Sequence, residues 1–130
     1  MASSNEAQRA KAAVTVLVAD DRGEFRSMVG RILSDCSDAP YIVLEAASGE
    51  EALRLARTHR PDVVLCDLHM PGLGGDEVLR QLRADPELGG TRVVMMTADV
   101  RAGCAAVLAG ADALLPKPFL MTDLLRTMAS

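Results

Sequence analysis

The chain has 130 residues, 49% of them apolar and 25% charged, and a net charge of −4. That length fits one domain able to bury a core without disulfide or metal staples. Acid and base are spread along the chain, so there is no case for direct nucleic-acid binding, and no apolar run approaches the roughly 20 residues of a membrane span.

The opening MASSNEAQRAKAA has no apolar centre of the kind a secretory signal needs, and residues 1–13 are expected to form an N-terminal tail ahead of one domain over 14–130. VTVLVA, Val14 to Ala19, is a continuous β-branched run of the kind buried on both faces of a sheet. Phe25, Met28, Val29, Ile32, Leu33 and Cys36 then repeat at helical spacing. YIVLEAA, Tyr41 to Ala47, reads as a second strand. Ser48 with Glu51 forms a capping box that opens a helix through about His59, which Pro61 ends. DVVLCD, Asp62 to Asp67, is a third strand, followed by a loop and a helix from Asp76 to about Ala84. Pro86 and the Gly89-Gly90 pair break that helix. VVMMTA, Val93 to Ala98, is a fourth strand, and Asp99 to Ala109 a fourth helix closed by Gly110. ALLP, Ala113 to Pro116, is a fifth strand, and Met121 to Met128 a short last helix. Cys36, Cys66 and Cys104 stand apart in apolar stretches and are expected to be buried thiols in a reducing, cytoplasmic compartment.

Alternating strands and helices define an α/β protein: a five-stranded parallel sheet between two helical layers, carrying five helices. Right-handed crossovers leave few topologies, and the flavodoxin-like order 2-1-3-4-5 is the expected one. In such sheets ligands bind beyond the carboxyl ends of the strands, at the switch point between strands one and three. Asp20 and Asp21 follow strand one, Asp67 ends strand three, Thr97 lies at the end of strand four, and Lys117 follows strand five. Singly, each has a plain explanation: a helix N-terminus favouring acids, β-propensity, a solvated surface charge. Their arrival at one edge argues for a site. Three close carboxylates need a cation to stay ionised together, and oxygen-only ligands favour a hard ion such as Mg²⁺. Of 14 basic residues all but Lys11 and Lys117 are arginines, so the one lysine of the domain, framed by Pro116 and Pro118, stands out as a positional contact.

The segments VLVADD, VVLCDLHMPGLGG, VVMMTA and LLPKPF resemble, in order and spacing, the signature of response-regulator receiver domains, from about Val14 to Met128. The resemblance implies a two-component phosphorylation switch with Asp67 as phosphoacceptor. It implies Mg²⁺ held by Asp21, Asp67 and the backbone carbonyl of His69, with Asp20 acting through a water. Thr97, Ala98 and Lys117 would bind the phosphoryl group, Lys117 pairing first with Asp67, and the Lys117–Pro118 bond would be cis. Arg26 and Phe119 match family positions as structural residues. The implied partner is a sensor histidine kinase or phosphotransfer protein. Output would pass through helix four, strand five and helix five to a partner, an attached output domain or a second copy, without direct nucleic-acid or membrane contact. Such a domain modifies itself rather than turning over substrate. Leu114 departs from the pattern, because an aromatic commonly occupies this signalling position. Rival readings are an aspartyl-nucleophile phosphatase, which would carry a DxD pattern on strand one, a flavodoxin-like redox module, and a degenerate receiver kept for docking.

Overall fold

The structure is a computed structural model that describes residues 13–129. The tail expected over 1–13 therefore lies outside the described residues, Ala13 excepted. Five strands, β1 (Val14–Ala19), β2 (Tyr41–Ala46), β3 (Val63–Asp67), β4 (Arg92–Thr97) and β5 (Ala113–Pro116), alternate with five helices. The helices are α1 (Gly23–Cys36), α2 (Gly49–His59), α3 (Gly75–Ala84), α4 (Val100–Leu108) and α5 (Met121–Ala129). All strand pairs are parallel and the sheet order is β2-β1-β3-β4-β5, the expected topology.

Side chains alternate across the sheet with period two and build two cores. Leu17, Ala19, Val64, Cys66, Val93 and Met95 point to one face and pack under α2, α3 and α4, meeting Leu53, Ala56, Leu79, Leu82 and Ala106. Val16, Val18, Leu65, Val94 and Met96 point to the other, against Val29 and Leu33 of α1 and Leu124 and Met128 of α5. The central strands are apolar on both faces because both faces are covered. Each fully buried Leu or Val contributes about 1.5–3 kcal/mol, so these layers supply the main drive to fold.

Local signals set the element ends. Ser48 caps α2 by accepting from Glu51 N–H at 3.1 Å, and Glu51 accepts from Ala47 N–H at 2.7 Å, one residue earlier than the standard box. Arg60, in the left-handed region at φ 47°, closes that helix before Pro61. Asp99 is the cap of α4 rather than its first residue, accepting from Ala102 N–H at 3.1 Å, and Gly110 follows the helix at φ +122°. Two cysteines depart from expectation: Cys66 is buried, but Cys36 and Cys104 are exposed. Cys36 is the last residue of α1. Cys104 lies about 100° around α4 from Gly103, which is the residue facing inward.

Candidate functional site

Register brings the polar residues together in steps. Ala19 pairs with Cys66, so Asp20 and Asp67 come next on adjacent strands. Asp67 pairs with Met96, which puts Thr97 one step further, and Thr97 pairs with Pro116, so Lys117 is the next residue of the chain after that pair. Lys117 N–H donates to the Thr97 carbonyl at 2.9 Å, extending the ladder to the lysine itself. The Lys117–Pro118 peptide is cis, as the resemblance implied.

The Lys117 ammonium bridges two carboxylates, donating to Asp20 Oδ2 at 2.7 Å and Asp67 Oδ2 at 3.0 Å. Its side chain is only 12% exposed, so these are charge-assisted bonds in a largely desolvated setting. The second oxygen of each acid is fixed by backbone: Arg22 N–H donates to Asp20 Oδ1 at 2.8 Å, and His69 N–H to Asp67 Oδ1 at 2.9 Å. Arg26 donates to the Asp20 carbonyl at 2.7 Å and to Glu45 Oε1 at 3.0 Å, which ties the start of α1 to β2 and bears out its structural reading.

Burial separates the two bridged acids. Asp20 is 0% exposed, and burial works to raise its carboxyl, yet the bonds from Lys117 and Arg22 N–H outweigh that and hold it below the ordinary aspartate range. Asp67 is 8% exposed, and burial pushes its carboxyl up, with the His69 N–H and Lys117 bonds offsetting only part. Asp21 is exposed beside them, and carboxylate oxygens of Asp20, Asp21 and Asp67 all lie within 4.8 Å of one another. Three carboxylates against the Lys117 ammonium and the exposed Arg22 guanidinium, 3.9 Å from Asp20 Oδ1, leave a net negative charge when all are ionised. An all-oxygen donor set with that deficit suits a hard divalent cation. Thr97 is buried and its hydroxyl accepts from Asp99 N–H at 2.9 Å, which fixes it at the head of α4. Ala98 lines an apolar depression with Phe25, Lys117, Pro118 and Phe119. Leu114 is not in the pocket; it packs half-buried beneath α4, close to Gly103.

Two residues at the site escaped the sequence reading. A Cβ on Gly75 would lie 2.4 Å from the Asp67 carbonyl oxygen and 2.8 Å from Leu68 Cα, so only glycine lets α3 start this close to the acid. Phe25 places its ring centroid 4.1 Å from Lys117 Nζ. The run of glycines after Met70 hinted at a close approach without saying which glycine makes it; nothing in the sequence marked Phe25 for anything but the core.

A doubly wound parallel sheet with an acid-and-lysine pocket at its switch point defines the class of this α/β protein. The response regulator receiver domain profile matches residues 16–129, and the chain belongs to that family. It is 41% identical over 115 residues to the response regulator MprA of Mycolicibacterium vanbaalenii, covering 88% of this chain and 48% of that one, so it spans about half the length of this relative. Among solved structures, the chemotaxis response regulator CheY4 of Vibrio cholerae superposes with a TM-score of 0.83 at 32% identity, over 91% of this chain and 98% of that one. The receiver domain of the sensor histidine kinase PA1611 of Pseudomonas aeruginosa, solved with magnesium coordinated in its active-site cleft, gives a TM-score of 0.80 at 27% identity, over 90% and 95% of the two chains. Membership places the chain among the receiver domains of two-component response regulators. Among the described residues no helix is long and apolar enough to cross a membrane.

Proposed function

We propose that the domain is a phosphorylation switch in which Asp67 takes a phosphoryl group from a phosphohistidine of a sensor kinase or phosphotransfer protein in the cytoplasm. The observation that carries this reading is the Lys117 ammonium held between Asp20 and Asp67 at the carboxyl edge of the sheet. An oxygen of Asp67 attacks phosphorus in line; the new P–O bond forms as the P–N bond to the donor imidazole breaks, and the imidazole leaves with the electron pair. Asp67 must be ionised to attack, and Lys117 and the His69 N–H stabilise that form.

The donor set fits Mg²⁺, with Asp21, Asp67 and the His69 carbonyl as ligands and Asp20 through a water. Bound there, Mg²⁺ supplies positive charge to the pocket and to the phosphoryl oxygens. Lys117 exchanges its bond to Asp67 for one to a phosphoryl oxygen, which spreads charge off the loose transition state. The Thr97 hydroxyl and the backbone of Ala98 bind the remaining oxygens, at the step where β4 runs into α4. Hydrolysis of the acyl phosphate by water resets the switch. Output passes through the face of α4, β5 and α5, with Leu114 at the signalling position, to a partner, an attached output domain or a second copy.

The test is incubation with acetyl phosphate and Mg²⁺, borohydride trapping and peptide mass spectrometry. The label is expected on Asp67, lost with chelator and absent from Asp67→Asn. Equal labelling of Asp67→Asn refutes the assignment.

A further inference from the structure

Lys117 has three N–H donors, and two of them are spent on Asp20 and Asp67. On its remaining side the ammonium meets not a third acceptor but the face of Phe25, whose centroid lies 4.1 Å from Nζ. The ring is itself held by an edge-to-face contact with Phe119, centroids 5.7 Å apart at 80°. The outer approach is guarded by Arg22, whose guanidinium carbon is 5.7 Å from the same centroid. Phe25 sits in the first turn of α1 and Phe119 two residues beyond the lysine, so the stack clamps the β5–α5 loop to the start of α1 at the lysine.

We propose that Phe25 is a positioning residue for the phosphoryl-transfer step, its ring face holding the Lys117 ammonium against the acid pair while leaving the head able to swing. This inference rests on the phosphoacceptor reading above and deepens it. An aromatic face attracts a cation through its quadrupole, and that attraction grows when the cation is desolvated, as Lys117 is. Unlike a hydrogen bond it imposes no single direction. Lys117 must exchange a carboxylate oxygen for a phosphoryl oxygen during transfer. A third hydrogen-bond acceptor would resist that turn, and a plain apolar wall would leave one side of the ammonium neither solvated nor attracted. The ring meets both demands.

The test compares Phe25→Leu, which keeps an apolar side chain without a quadrupole, with Phe25→Tyr and Phe25→Trp, which keep the ring. Two quantities are read on each folded variant: the rate of Asp67 labelling by acetyl phosphate at saturating Mg²⁺, and the proton shift of the Lys117 ε-methylene. In the parent the ring current moves that methylene upfield; the displacement is lost in Phe25→Leu and kept in the ring variants. Labelling slows by about 2- to 30-fold in Phe25→Leu and stays within about 2-fold of the parent in Phe25→Tyr or Phe25→Trp. A structural role alone would slow all three in proportion to their loss of melting temperature. Parent-like labelling by Phe25→Leu, or no rescue by either ring variant, overturns the proposal. If the parent takes no label at Asp67, the phosphoacceptor reading fails first; a Lys117 methylene that then shows no dependence on the ring overturns the contact as well.

Discussion

Gly103 offers the most quantitative test of how α4 is coupled to the pocket. A Cβ built there would lie 2.4 and 2.9 Å from the two terminal carbons of Leu114 and 3.0 Å from the Thr97 methyl. Carbon atoms in contact prefer about 3.5–4.0 Å, so Gly103→Ala must drive the leucine back by about 1 Å or lift the helix. Overpacking of this kind costs about 1–3 kcal/mol, against which alanine regains about 1 kcal/mol of helix propensity, leaving a net loss of roughly 0–2 kcal/mol. Leu114→Ala removes the obstructing carbons and costs about 2 kcal/mol, at the low end for leucine truncation because the side chain is only half-buried. In that background the overpacking is relieved and the propensity gain remains, so Gly103→Ala becomes stabilising by about 1 kcal/mol. The double-mutant cycle should therefore give a favourable coupling of about 1–3 kcal/mol, read from urea unfolding midpoints at constant m-value. Additivity within about 0.5 kcal/mol would refute the claim that Gly103 and Leu114 share one volume.

Lys117→Arg keeps the charge but replaces a compact ammonium by a planar fork. The pocket offers one carboxylate oxygen from each of two residues and a ring face, so labelling of Asp67 should fall by more than about 10-fold, measured with acetyl phosphate under saturating Mg²⁺; parent-like labelling would mean that charge alone is required. The thiols should separate cleanly: Cys36 and Cys104 react with iodoacetamide in the native protein, while Cys66 waits for unfolding. Its thiol is pushed up first by complete burial and then by the nearby Asp67 charge, and mass spectrometry of the alkylated peptides reads the order.

How much of this was legible depends on the scale of the interaction. The strands and helices could be read because each is a periodic burial pattern, and several ends differ by a residue, at a helix cap such as Asp99 and at strand ends such as Asp62 and Ala98, where the burial pattern does not mark the last ladder bond. Asp20, Asp67, Thr97 and Lys117 were findable because parallel strands deliver their carboxyl ends to one edge whatever the fine packing. Phe25 was not, since a ring in an apolar stripe looks the same whether it faces a leucine or an ammonium. The exposed cysteines show the same limit from the other side: apolar neighbours in sequence say nothing of which 100° sector of a helix a residue occupies, so Cys104, one such step from the inward Gly103, is exposed.

The pairing of Gly103 with Leu114 also bears on how the proposed output can work. Where receivers of the family carry an aromatic at this position, a ring has room to turn between an outer and an inner site. Here the notch left by a glycine is already filled: Leu114 reaches inward to within contact of the α4 backbone, and the Thr97 methyl touches the same place. The space over Gly103 is taken by Leu114 itself. A pull on the Thr97 hydroxyl must be transmitted through its bond to Asp99 N–H and through the shared Gly103–Leu114–Thr97 contact to α4 as a body. Val107 and Leu108 are exposed on that helix, so a shift of one element would reposition apolar surface without any rotamer exchange. The coupling of Gly103 and Leu114 then bears on more than packing, since in the proposed switch the contact that resists the alanine methyl would be the one to carry α4 along with Thr97.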